Sequence, residues 1–116
     1  MTNLLQETLD TLKQHDKTPS DVLWVGAPAY GYMTWDEYAA IADVNYYSGY
    51  GSQEVAKDLV IVGKGWCMER GEYDGSEWWD FKTPPKKPKH HRPAKSVIGG
   101  MWASLERISS TSEGGE

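Results

Sequence analysis

Apolar residues at helical spacing open the chain and predict an amphipathic helix over residues 3–15. The residues on its apolar face are Leu4, Leu5, Thr8, Leu9 and Leu12. A second helix is predicted over residues 35–43, because Thr34 and Glu37 have the spacing of a capping box. Both helices are short and one-sided, so we expect them to pack on another layer of structure.

Short apolar runs between turn residues predict an antiparallel sheet. The run 22–25 predicts one strand, and residues 58–83 predict a three-stranded meander. Its tight turns are placed at 64–65, which is Lys-Gly, and at 74–75, which is Asp-Gly and typical of a two-residue hairpin. Residues 53–57 are predicted to form one helical turn.

The two turns fix the pairing of the meander, because a two-residue turn places its flanking residues opposite each other. The expected pairs are Ile61 with Met68, Arg70 with Trp79, Gly71 with Trp78, Met68 with Phe81, Glu72 with Glu77 and Tyr73 with Ser76. Opposite side chains share a face. The predicted core face collects Leu59, Ile61, Trp66, Met68, Trp79 and Phe81. The fold class is therefore α+β: a small antiparallel sheet, formed by the meander and the strand near 22–25, packed against two helices.

The hairpin tip leaves two interpretations of Trp78 open. Trp78 either covers Gly71, which has no side chain to compete for the space, or is an exposed contact residue. Glu72 and Glu77 are expected to form a solvated acidic tip, with Arg70 as the counter-ion.

Charge divides the chain near residue 82. Residues 1–81 contain 5 Lys and Arg against 14 Asp and Glu, a net charge of −9, whereas residues 82–116 contain 7 against 3, a net of +4. The whole chain has a net charge of −5. The predicted organisation is an acidic α+β domain at 1–83, a basic proline-rich linker at 84–95, a short apolar segment of helical spacing at 96–108 and a disordered tail at 109–116.

The single cysteine bears on disulfides and redox compartment, and the absence of known motifs argues against catalysis. A single cysteine, Cys67, excludes an internal disulfide and suits a reducing compartment. The sequence contains no P-loop or GxSxG motif, and we expect neither enzymatic activity nor a cofactor.

A zinc site would use Cys67, His90 and His91, with His15 as a further ligand, but zinc sites prefer clustered spacings that this chain lacks. The start of the chain resembles neither a signal peptide nor a membrane span, so a cytosolic protein is expected.

Two surfaces are candidates for contact with a macromolecule. The acidic and aromatic set on the hairpin consists of Glu69, Glu72, Asp74, Glu77, Trp78 and Asp80. Such a surface suits a basic channel that otherwise holds DNA or RNA. The alternative set consists of Lys86, Lys87, Lys89, Arg92 and Lys95, which suit phosphates. The acidic body opposes the binding of nucleic acid.

The stretch 74–82, DGSEWWDFK, followed by Pro84, resembles small proteins of bacteriophages and mobile elements. The likeness extends to 21–26, to Thr34-Trp35 and to 58–63, and it covers roughly residues 4–88. Small acidic phage proteins of this kind include anti-CRISPR proteins that bind a guide-RNA nuclease such as Cas9. The resemblance implies a non-enzymatic inhibitor of a host defence nuclease, which binds that protein in the cytoplasm of the bacterial host. It supplies no catalytic residues.

Two further functions stay open. The first is a nucleic-acid-binding accessory protein of a phage or mobile element that uses the basic tail. The second and weaker alternative is a glycan-binding module that uses exposed tryptophan.

Overall fold

The computed structural model describes residues 1–49, 53–82, 87–99 and 103–114, with side chains through Ser109. Within these residues the elements are β1 (Thr2–Asn3), α1 (Leu4–Gln14), β2 (Val22–Ala27), β3 (Gly31–Met33), α2 (Trp35–Ala42), β4 (Asn45–Tyr46), β5 (Val60–Gly63), β6 (Trp66–Tyr73), β7 (Ser76–Lys82) and α3 (Leu105–Gly114). A turn of 3-10 helix precedes β2. The architecture is the predicted α+β class.

Side-chain caps start both predicted helices. The Asn3 side chain accepts a hydrogen bond from the Gln6 backbone N–H at 2.9 Å, which caps α1. Thr34 and Glu37 form a complete capping box at the start of α2, with bonds of 3.1 and 2.8 Å. Local hydrogen bonding therefore places both helix starts where the sequence predicted them.

The main sheet has the strand order β3-β2-β5-β6-β7, and neighbouring strands are antiparallel. The register of the meander is confirmed at every predicted pair, including Ile61 with Met68 and Gly71 with Trp78. Asp74 and Gly75 have φ of 54° and 88°, the left-handed backbone that this hairpin turn requires. A second sheet pairs β1 with β4.

The core lies between the sheet and the helices, on the predicted face. The predicted core residues Leu59, Ile61, Trp66, Met68 and Trp79 are buried, and Phe81 packs against them partly buried. A second buried cluster lies on the opposite face and consists of Trp24, Val60, Val62 and Cys67, with Tyr32 packed beside it. Both faces of the central strand β5 are therefore covered.

The segment after the meander runs beside β3 and then returns to the core. Tyr32 N–H donates to the His90 carbonyl and Arg92 N–H donates to the Tyr32 carbonyl, both at 2.7 Å. Further along, Val97 is fully buried and its carbonyl accepts from the Ala56 N–H at 2.8 Å. The division of the chain at residue 83 stays a prediction.

Two local features differ from the sequence-based expectation. The helical turn predicted at 53–57 is wrong, because Val55 forms an antiparallel bridge with Ile98 instead. The backbone of residues 54–56 forms hydrogen bonds with residues 97–99. These backbone groups are therefore not available for the hydrogen bonds of a local helical turn. Helix α3 extends to Gly114, into the range where the sequence predicted a disordered tail.

Candidate functional site

The outer hairpin face is the side of β6 and β7 that points away from the helices, and we define it as Glu69, Tyr73, Trp78, Asp80 and Lys82. Strand alternation sends these residues to the face opposite the core. Tyr73 is 77% exposed and Trp78 is 38% exposed. Asp74, in the adjoining turn, is exposed as well. Sequence reasoning left Tyr73 out of the candidate set, although the hairpin register places it diagonally beside Trp78.

Trp78 combines the two interpretations that the sequence left open. A side chain built at Gly71 would meet the indole Nε1 at 2.5 Å and Cε2 at 2.7 Å, so the indole lies directly over this glycine. The ring is nevertheless partly exposed. Trp78 is therefore supported by the backbone at Gly71 and keeps part of its surface exposed.

Like charges on the outer hairpin face are each paired with a donor. Glu69 and Asp80 are directly opposite in the register. Lys82 lies 3.3 Å from Glu69, and the Trp78 indole N–H donates to Asp80 Oδ1 at 2.8 Å. The face contains two carboxylates and one ammonium group, and Asp74 adds a further carboxylate in the adjoining turn.

The two glutamates at the predicted acidic tip have different environments. Glu72 accepts a hydrogen bond from the Gly75 N–H at 2.7 Å and so stabilises the turn. Glu77 is only 4% exposed, and Arg70 is only 9% exposed. The expectation of a solvated tip is wrong for this pair, because both residues lie on the core face and are covered by distant segments.

Arg70 is the centre of a buried polar cluster with Glu77, Tyr46 and Glu7. Its Nη2 donates to Glu77 Oε1 at 3.0 Å and to the Tyr46 hydroxyl at 2.8 Å, while Nη1 lies 3.6 Å from Glu7. The Tyr46 hydroxyl in turn donates to Glu7. Glu77 also accepts hydrogen bonds from the backbone N–H groups of residues 54 and 55, at 2.6 and 3.3 Å.

The electrostatics of this cluster keep Arg70 charged and Tyr46 neutral. Burial acts to lower the pKa of Arg70, but the interactions with Tyr46, Glu7 and Glu77 together raise it. Burial raises the pKa of the Tyr46 hydroxyl, and Glu7 adds to that increase. The side chains of Arg70 and Glu77 are shielded from solvent, whereas Glu7 is partly exposed. We assign the cluster a structural role, because its contacts join α1, β4, β6 and β7.

The basic segment is largely directed at the protein's own surface. The guanidinium of Arg92 lies over the Tyr30 ring at 3.9 Å and bonds both oxygens of Glu106, and Lys87 Nζ lies 4.0 Å from the Tyr32 ring centroid. Lys89 and Lys95 are exposed. Lys86 lies outside the described residues. Lys89 and Lys95 are therefore the two of the five basic candidates that have an exposed side chain and no described contact with the rest of the chain.

The candidate zinc ligands are not brought together. Cys67 is buried on the outer side of the sheet, and burial raises the pKa of its thiol. His91 instead pairs with Glu37 at 2.8 Å. A backbone hydrogen bond from Thr34 and the contact with His91 lower the pKa of the Glu37 carboxyl. Among the described residues, no group of three His, Cys, Asp or Glu side chains is arranged to hold a metal.

A shallow groove of about 350 Å³ follows the exposed side of α1. It is lined by Thr2, Asn3, Gln6, Glu7, Asp10, Thr11 and Gln14. Several of these side chains bond one another or nearby residues, as Gln6 does with Asp10 at 2.9 Å. The groove is open and is lined by residues of polar and acidic types, unlike the enclosed pockets typical of small-molecule sites.

The chain matches no protein-family model, no curated protein and no solved structure. None of the helices in the described residues is long and apolar enough to cross a membrane. Among the surfaces of the described residues, the outer hairpin face is the strongest candidate for contact with another macromolecule.

Proposed function

We propose that this protein is a non-enzymatic inhibitor of a host defence nuclease, of the anti-CRISPR type that acts on Cas9. The outer hairpin face would bind the nuclease, with a basic channel as the complementary surface, in the cytoplasm of a bacterial host. The observation that supports this most is that two exposed aromatic residues, Tyr73 and Trp78, lie on one face with carboxylates, one of which, Asp80, accepts the Trp78 indole N–H.

The composition of this face favours a protein partner over a nucleic acid. Its carboxylates repel phosphates and attract a surface that is rich in lysine and arginine. Exposed Tyr and Trp are the residues that most often supply the energetic centre of a protein interface. The seven paired positions of β6 and β7 hold both rings on a regular hairpin, which lowers the ordering cost of binding.

The class of partner comes from the resemblance to phage proteins. The stretch that carries most of that resemblance, 74–82, forms the hairpin turn and β7, so it supplies Trp78 and Asp80 to the face. The basic segment gives weaker support to the nucleic-acid alternative, because Arg92 and Lys87 contact aromatic rings of the same chain.

A Cas9 cleavage assay with a pull-down, each with and without guide RNA, tests the proposal. We expect inhibition by the wild-type protein and a loss of about tenfold or more in potency for Trp78→Ala and for Tyr73→Ala, which is the typical effect of truncating a central aromatic. Leu23→Ala is the matched control, because Leu23 is also exposed, at 64%, but lies on β2. Absence of binding to Cas9 in both conditions removes the proposal.

A mobility-shift titration examines the nucleic-acid alternative in the same preparations. Its variant is Lys89→Gln with Lys95→Gln in the intact chain, since removing the whole C-terminal segment would also remove the buried Val97. We expect this variant to inhibit like the wild type. DNA binding by the wild type that is lost in this variant and falls steeply with salt would replace the proposal with an accessory DNA-binding role.

A further inference from the structure

Arg70 shows how this chain accommodates a buried arginine. The guanidinium carbon lies 4.6 Å from the centroid of the Trp79 ring, and Nη2 lies 3.0 Å from the Glu77 carboxylate. One planar group thus stacks on an aromatic ring and pairs with an acid at the same time. Trp79 and Glu77 lie two residues apart on one strand, so they share a face of the sheet.

Arg92 repeats the arrangement on the surface. Its guanidinium carbon lies 3.9 Å from the centroid of the Tyr30 ring, and its two terminal nitrogens bond the two oxygens of Glu106 at 2.7 and 3.1 Å. This bidentate geometry is specific to arginine, since a lysine ammonium has no planar pair of donors.

Trp78 and Asp80 form the same kind of aromatic and carboxylate pair, again two residues apart on one strand. The indole N–H donates a hydrogen bond to Asp80 Oδ1 at 2.8 Å. Asp80 Oδ2 lies over Gly71, only 2.6 Å from where a side-chain carbon would start, so it occupies the same niche as the indole. In the part of the chain that is described, no lysine or arginine lies over the Trp78 ring.

We propose that Trp78 and Asp80 form a receptor for an arginine side chain of the partner protein. The guanidinium would stack on the exposed side of the indole and donate to Asp80 Oδ2. The nearby Glu69 is paired with Lys82, so Asp80 is the acid positioned for this contact. The chemistry of the receptor is independent of the partner's name, whereas the role of the arginine in a nuclease depends on the function proposed above.

Titration of the ¹⁵N-labelled full-length protein with short peptides tests the receptor directly. The probes are Gly-Arg-Gly, Gly-Lys-Gly and a Gly-citrulline-Gly peptide, in which the charged guanidinium is replaced by a neutral urea of the same shape. We expect the arginine peptide to shift the Trp78 indole N–H resonance saturably, at millimolar concentration, and the citrulline peptide to cause no saturable shift. A response to the lysine peptide as strong as that to the arginine peptide would overturn the assignment.

Asp80→Asn and Asp36→Asn form the matched pair of variants. Asparagine at position 80 can still accept the indole N–H, so it removes the charge and keeps the geometry. Asp36 is exposed on α2, and its substitution changes the net charge by the same amount. We expect Asp80→Asn to weaken arginine-peptide binding about threefold or more, and Asp36→Asn to leave it unchanged. Equal affinity of the two variants would reject the receptor.

The peptide titration and the nuclease assay fail independently. Cas9 inhibition without a saturable arginine response at Trp78 would reject the receptor and leave the proposed function in place. A selective arginine response without binding to Cas9 would retain the receptor and reject the nuclease as its partner.

Discussion

Removing the Glu77 carboxylate is the most informative test of how the fold is held together. In Glu77→Ala, the Arg70 guanidinium stays charged and shielded from solvent, and it loses its closest acid, while Glu7 remains 3.6 Å away. Two backbone N–H groups, of residues 54 and 55, also lose their acceptor. Breaking one partner of a buried ion pair typically costs about 3–5 kcal/mol. That loss is a large part of the roughly 5–15 kcal/mol that stabilises a typical domain.

Equilibrium urea unfolding, followed by circular dichroism and by tryptophan fluorescence, measures this cost. The matched control is Glu69→Ala, which breaks the ion pair with Lys82 on the other face of the same hairpin. The two ion pairs have similar distances, 3.0 and 3.3 Å, but the side chains of the control are 36% and 55% exposed. Exposed pairs are worth about 0–1 kcal/mol, so we expect the control to be nearly neutral.

The double variant Arg70→Met with Glu77→Leu separates charge burial from general packing. Because it removes both charges of the buried pair, we expect it to be more stable than Glu77→Ala alone. Tyr46 and Glu7 lose their contact with the guanidinium, and residues 54 and 55 still lack their acceptor. Two results would contradict the expected cost of the unpaired charge: unfolding of Glu77→Ala at the same urea concentration as Glu69→Ala, or a double variant that is the least stable of the set.

Three further predictions follow from single contacts. Gly63→Ala would place a carbon 2.1 Å from the Trp66 ring, so we expect a loss of about 1–3 kcal/mol in the free energy of unfolding, measured in urea. Burial raises the pKa of Tyr38 above its ordinary value of 10.0, so stability is retained below pH 10 and falls above it. Tyr38→Phe should flatten that alkaline decline in a series of thermal melts, and an unchanged slope would contradict the assignment. The lowered pKa of Glu37 contributes stability above its ordinary value of 4.5 that is lost as the pH falls. Glu37→Gln should therefore lower the melting temperature at pH 7 more than at pH 3.

The hairpin shows how far local chemistry predicts structure. Asp74 and Gly75 favour a left-handed two-residue turn, and that turn alone fixes which residues of β6 and β7 are opposite. The same register places Trp78 over Gly71, which leaves only the degree of exposure open. The turn signal and strand alternation therefore predict where Trp78 and Asp80 lie in the proposed arginine receptor, but not how exposed the indole is.

The buried cluster shows where that reasoning stops. The register did place Arg70 and Glu77 on the core face, but a hairpin tip is exposed unless another segment covers it. Here the covering groups come from Tyr46, from Glu7 and from the backbone of residues 54 and 55. These contacts join residues that are more than 20 positions apart, and local sequence patterns do not predict such contacts. The sequence therefore predicts a solvated tip.

Local sequence signals predicted the two helix starts, the two tight turns of the meander, the strand register within the meander and the face that forms the core. Each depends on hydrogen bonds or alternation within a few residues. Contacts between distant segments make Glu77 internal and bring the segment containing Val97 into the core. Those outcomes depend on which distant segments exclude water from a given side chain, and water exclusion is a property of the assembled fold.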